Sequence, residues 1–178
     1  MKKPAKAMKK IIILLCLLAV VISAAFVQNS VYISLFFRMH MHAPEILWDH
    51  VEDDYSARFV LAEANGSLIT AVYKKSIFGW GYMMSNSDED FSVIQVALYE
   101  KGQEKLADVK TEKFCLIGIR QKALEELYTQ TDWSKQSESN IQCTSEQFTQ
   151  SETTVKMFFG QSSGDFGSDD LIYCASPH

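Results

Sequence analysis

Residues 11–27, IIILLCLLAVVISAAFV, are a run of 17 positions without a charge, and they restrict this chain more than any other feature. Lys2, Lys3, Lys6, Lys9 and Lys10 precede the run, and no acidic residue occurs before Glu45. A cationic start, an apolar stretch and then small residues is the layout of a secretory leader. Residues 11–22 have the length of its apolar centre, and Ser23-Ala24-Ala25 put small side chains where a cut before Phe26 needs them. The same run also reads as an uncleaved anchor, at the lower edge of what spans a bilayer. Residues 31–37 could lengthen it past the polar break Gln28-Asn29-Ser30, with Arg38 snorkelling at its end.

Both readings keep the lysines in the cytoplasm and export the rest. The expected location is the cell membrane, single-pass with the C-terminal domain outside, or the exterior after cleavage near Ala25. The anchor is the preferred form, and it makes the membrane a partner through residues 11–27. Lipid attachment at Cys16 is disfavoured, because Leu14-Leu15 precede it where a small residue is required. The expected division is a leader or anchor over 1–27, a juxtamembrane neck over 28–54 and a β-rich extracytoplasmic domain over 55–178.

Charge follows the same division. Five of the 17 basic residues lie before position 11, leaving 12 against 22 acidic ones. The part from Phe26 on therefore carries a formal −10, where the whole chain carries −5. Such a surface favours a cationic partner. It argues against nucleic acid, whose binding needs clustered lysines and arginines.

The hydropathy pattern of the exported part predicts a small α+β fold, mostly antiparallel, of five to seven strands with one or two helices. Within the neck, Pro44 suits the first turn of a helix, and Ile46, Leu47, His50 and Val51 give it a weak apolar face. From Tyr55 the period becomes two. Asn65-Gly66 separates two β-like runs, the strongest short hairpin signal, since a type I′ turn needs positive φ at both central residues. Further strands are expected over 91–100, 104–110, 112–120, 153–159 and 171–175, and a helix over 121–131. The polar stretch 134–152 reads as a long loop.

Three cysteines lie beyond the leader, and export makes a disulfide reasonable. Cys115 shares a strand face with Ile117 and Ile119 and reads as a buried thiol. Cys143–Cys174 is the favoured pair, with Cys115–Cys143 and Cys115–Cys174 as alternatives; a bridge closing a loop of that size contributes about 3–4 kcal/mol on the chain-entropy account. His40, His42, His50 and His178 are the four histidines, so none lies between 51 and 177. That weighs against catalytic triads and histidine-rich zinc sites, both of which need a rigidly placed imidazole. Met39-His40-Met41-His42 carries copper-compatible ligands, but a short unconstrained run is weakly specific and a juxtamembrane linker is the favoured reading. Asn86–Asp90 matches the first positions of an EF-hand loop, but Phe91 stands where glycine is needed and Ala97 where glutamate closes the shell. No cofactor is implied.

Phe78, Trp80 and Tyr82 alternate through residues 76–84, so one strand face could carry all three rings, as core or as a partner-binding platform. The lysine-rich start, the single apolar segment and the Lys-Lys-Ser-Ile-Phe-Gly-Trp stretch at 74–80 resemble small, uncharacterised exported proteins of Gram-positive bacteria. The resemblance implies an address and no activity. The expected function is a non-enzymatic binding or accessory protein of the cell envelope with an envelope or secreted protein as partner. The alternatives are a carboxylate-dependent envelope enzyme such as a glycan hydrolase, and an extracytoplasmic metal-binding protein.

Overall fold

The computed structural model describes residues 4–100, 111–131, 140–150 and 153–175. The run expected over 104–110 and His178 lie outside the described residues. Helix α1 (Pro4–Asn29) carries the apolar run, and its described side chains, from Met8 to Ser23, are exposed on every face. Among the described residues no helix is long and apolar enough to cross a membrane.

Ser30 ends α1 and caps α2 (Val31–Arg38), its Oγ accepting from the Ile33 amide at 3.4 Å. The polar break thus starts a new element, and α2 does not lengthen the apolar run. Val31 and Leu35 are buried against a sheet. Arg38, expected to snorkel, instead lies 3.1 Å above the Tyr82 ring centroid.

Eight strands follow: β1 (Glu45–Glu52), β2 (Ala57–Ala64), β3 (Ser67–Ser76), β4 (Gly79–Asp88), β5 (Phe91–Tyr99), β6 (Thr111–Arg120), β7 (Gln142–Gln150) and β8 (Thr153–Ser162). Helix α3 (Gln121–Gln130) lies between β6 and β7, and α4 (Ser168–Ala175) follows β8. The strands form two four-stranded sheets, ordered β1-β2-β3-β4 and β5-β6-β8-β7, with every neighbouring pair antiparallel. The fold is α+β and antiparallel, as the sequence predicts, but among the described residues it has eight strands where five to seven were expected, and three helices beyond α1 where one or two were.

The sheets face each other over Phe59, Leu61, Val72, Leu98, Phe114, Leu116, Met157 and Phe159. Helix α2 covers the outer face of the first sheet, and α3 with α4 covers that of the second. Central strands such as β6 are consequently apolar on both faces, because each face has a cover. Gly118 allows the sheets to close: a Cβ there would run into the Leu61 side chain opposite.

Ser92 on β5 ties the sheets at their corner. Its Oγ donates to the Asn86 carbonyl at 2.8 Å, accepts from the Thr70 amide at 3.2 Å and lies 3.0 Å from Thr70 Oγ1. The expected Asn65-Gly66 hairpin is present between β2 and β3, with φ of 51° and 80°.

Three expectations are corrected. Residues 45–52, read as a helical neck, form β1, whose Trp48 and His50 rings lie 5.1 and 5.2 Å from Phe159. Pairing with β2 and these ring contacts outweigh a weak helical period. Residues 142–150, read as loop, form β7, an edge strand that needs pairing on one side only and so tolerates polar side chains. Residues 171–175, read as a strand, belong to α4. Its first turn holds Asp169 and Asp170, and Asp170 Oδ2 accepts from the Gly167 amide at 2.8 Å, the reaching-back half of a capping box.

Candidate functional site

The two helices on the second sheet do not meet over its whole surface, and a cleft of about 400 Å³ opens between them. Its floor is the outer face of the sheet, Val93 from β5 with Ile117 and Ile119 from β6. Ala123 and Leu127 of α3 form one wall, and Ile172 of α4 the other. The volume lies in the range of small-ligand sites, which are also mostly apolar with a few placed polar groups.

Local sequence explains this geometry. The spacing of Ala123, Leu124 and Leu127 turns one face of α3 toward the sheet, with Leu124 fully buried beneath it. Leu171 and Ile172 do the same for α4. Gly160 on β8 lets α4 come close, since a Cβ there would meet Leu171 Cδ1.

Among the described residues, the charged side chains that line the cleft are all acidic: Asp90, Glu126 and Asp169, each solvent-exposed at the rim. Gln130 and Ser168 complete its polar edge, and Phe91 adds a half-exposed ring. An apolar basin with an anionic rim suits a ligand that has an apolar body and a positive group. Among the described residues the lining holds no histidine, cysteine or lysine.

The aromatic triplet does not form one platform. Phe78 is 73% exposed in the β3–β4 turn beside Ile77. Trp80 and Tyr82 do share a face of β4, but it is the outer face of the first sheet, half-buried beside α2. Tyr82 there meets Tyr73 edge-on at 6.0 Å. Burial raises the pKa of the Tyr73 hydroxyl, while a hydrogen bond with Ser34 and the charge of Arg38 act the other way. The space between the sheets is filled by Phe59, Phe114 and Phe159 instead.

Met39 caps α2 and is half-buried against the first sheet, while His40, Met41 and His42 are exposed in the turn to β1. His40 and Met41 take left-handed φ values of 53° and 69°, which reverse the chain there. Among the described residues no three His, Cys, Asp or Glu side chains converge on a metal-sized site. The acids between β8 and α4 serve separate ends: Asp165 pairs with Lys113, Asp169 lies on the cleft rim and Asp170 caps α4.

Cys115 is buried under α3 and α4, and desolvation pushes its thiol up to about 12, with a hydrogen bond from Gln95 acting the other way. Cys143 on β7 and Cys174 on α4 come together, with Sγ atoms 2.7 Å apart.

The cleft residues were not singled out by sequence reasoning. Of the rim acids, only Asp90 stands out in the sequence, as the end of the Asn86–Asp90 run. The available signal was β6, whose apolar side chains on both faces require a cover on each. No family model, curated protein or solved structure matches the chain.

Proposed function

We propose that this chain is a membrane-tethered, non-enzymatic binding domain of the cell exterior. Its α3–α4 cleft takes an apolar side chain of a partner peptide flanked by lysine or arginine. The observation that carries the reading is the cleft lining: an apolar floor whose charged neighbours, among the described residues, are carboxylates alone. The −10 charge of the part beyond the leader extends the same preference by long-range attraction.

Export and tethering are supported by the five lysines followed by 17 uncharged residues, which give residues 11–27 the pattern of a leader or anchor. Binding is favoured over carboxylate hydrolysis because all three rim acids are exposed and the floor between them is apolar. A hydrolase of that class needs one carboxyl kept protonated by its surroundings.

The test is direct binding of the full chain, in detergent micelles, to arrayed synthetic peptides with one Leu or Phe between basic residues. A matched array carries glutamates in their place. Preference for the basic array, lost on Leu127→Arg, supports the reading. Equal binding to both arrays, or none, overturns it.

A further inference from the structure

We propose that Cys143 and Cys174 are joined by a disulfide in the exported protein, cross-linking edge strand β7 to helix α4. The inference starts from strand register. Cys143 pairs with Gly160 across β7 and β8. Leu171 of α4 occupies the space that a Cβ on Gly160 would take. Cys174 lies three residues after Leu171, hence on the same face of the helix. The contact of Leu171 on Gly160 therefore delivers Cys174 onto Cys143, where the two sulfurs lie 2.7 Å apart. Cys174 Sγ also comes within 3.7 Å of the Ile141 carbonyl at the start of β7.

The third cysteine of the domain does not compete. Cys115 is 1% exposed on central strand β6, whereas Cys174 is exposed and Cys143 half-buried. An incoming oxidant reaches the Cys174 thiol first. The chemistry balances as two exchanges with an external disulfide, from a protein oxidant or a small thiol couple. Cys174 sulfur attacks that disulfide, forming a mixed disulfide and releasing one thiol that carries away the proton. Cys143 sulfur then displaces the second thiol, completing the bridge with two protons and two electrons transferred to the oxidant. The link fixes α4, which supplies one wall of the cleft, to a strand whose side chains are mostly polar. It stands whether or not the cleft binds peptide.

Trypsin sites at Lys122, Lys135 and Lys156 separate the three cysteines, so mass spectrometry identifies the pairing. The full chain is extracted with free thiols blocked by N-ethylmaleimide and digested without reduction. A linked pair of peptides containing Cys143 and Cys174, with Cys115 alkylated only after denaturation, is the expected result. Alkylated Cys143 and Cys174, or a link to Cys115, overturns the proposal. Reductant should lower the melting temperature of the native protein by roughly 10 °C, as expected for a bridge closing a loop of this length. Cys143→Ser and Cys174→Ser should melt at the lower temperature and be insensitive to reductant. A native protein whose melting ignores reductant would refute the pinning of α4, even with both variants misfolded.

Discussion

Arg120, the last residue of β6, crosses from one sheet to the other to meet Glu63 on β2, Nη2 to Oε1 at 3.0 Å. The same guanidinium donates to the Gly66 carbonyl at 2.7 Å and, through Nε, to the Glu89 carbonyl at 2.8 Å. One side chain thus joins the β2–β3 turn, the β4–β5 turn and β6. Its exposure is 15% and that of Glu63 is 22%, so water screens the pair only in part.

Arg120→Ala should therefore cost about 2–3 kcal/mol, since it strands acceptors that are partly shielded from water. Glu63→Gln should cost about 1 kcal/mol or less, because both carbonyl bonds survive. Urea unfolding followed by tryptophan fluorescence measures both. Equal costs for the two variants would show that the carbonyl contacts contribute nothing.

Gly118→Ala should be destabilising by about 1–3 kcal/mol, through overpacking between the sheets. Its added methyl meets a Leu61 side chain that is fully buried and cannot swing into solvent. Leu61→Val in the same chain should recover part of the loss, and additive costs in the double variant would contradict this contact. Gly66→Ala serves as the contrast. A Cβ there meets nothing within 4 Å, and only the φ of 80° opposes it. About 1 kcal/mol, with no rescue from neighbours, is expected.

Cys115 gives the fold an alkaline limit. Its thiol is raised to about 12 in the folded chain, while the unfolded chain releases the proton near 9.0. Above that unfolded value the unfolded state ionises and gains free energy that the folded state does not. The stability linked to Cys115 is complete below pH 9 and declines as pH rises toward 12. By linkage the loss at pH 10 is about 1.4 kcal/mol. Urea midpoints at pH 7 and pH 10 should fall further for the native chain than for Cys115→Ala, which keeps all other titrating groups. An identical fall would assign the alkaline loss elsewhere.

The parts of this fold legible in the sequence are those whose local signal agrees with their tertiary role. Asn65-Gly66 is one, because positive φ at two successive residues admits few sequences. Strands β5, β6 and β8 are others, carrying β-branched and aromatic residues into buried positions. The legible limit is reached where a partner decides. Strand β7 exists because β8 offers it hydrogen bonds, and nothing in its glutamines and threonines announces that. Trp80 and Tyr82 were placed correctly on one strand face, yet period alone cannot say which side of a sheet lies between sheets and which lies under a helix. The cleft was hidden for the same reason: Ile119 and Leu127 lie on adjoining elements, but the second wall comes from Ile172 on α4, far along the chain.

The two components of the proposed cleft interaction should separate by salt. Glu126→Lys and Asp169→Lys replace exposed rim charges, whose attraction for a basic peptide is screened over about 8 Å at physiological ionic strength. Each should weaken binding several-fold at low salt, and the difference from the native chain should vanish near 0.5 M, where the screening length has shrunk to about 4 Å. Leu127→Ala instead removes apolar contact from the wall, where area lost from the interface costs the same at any ionic strength. Its loss should be about tenfold and persist at high salt. Titration calorimetry at two salt concentrations distinguishes the patterns. A rim variant whose effect survives high salt would mean that the carboxylates make direct, shielded contacts, and a salt-sensitive Leu127→Ala would mean that the apolar basin is not the seat of binding.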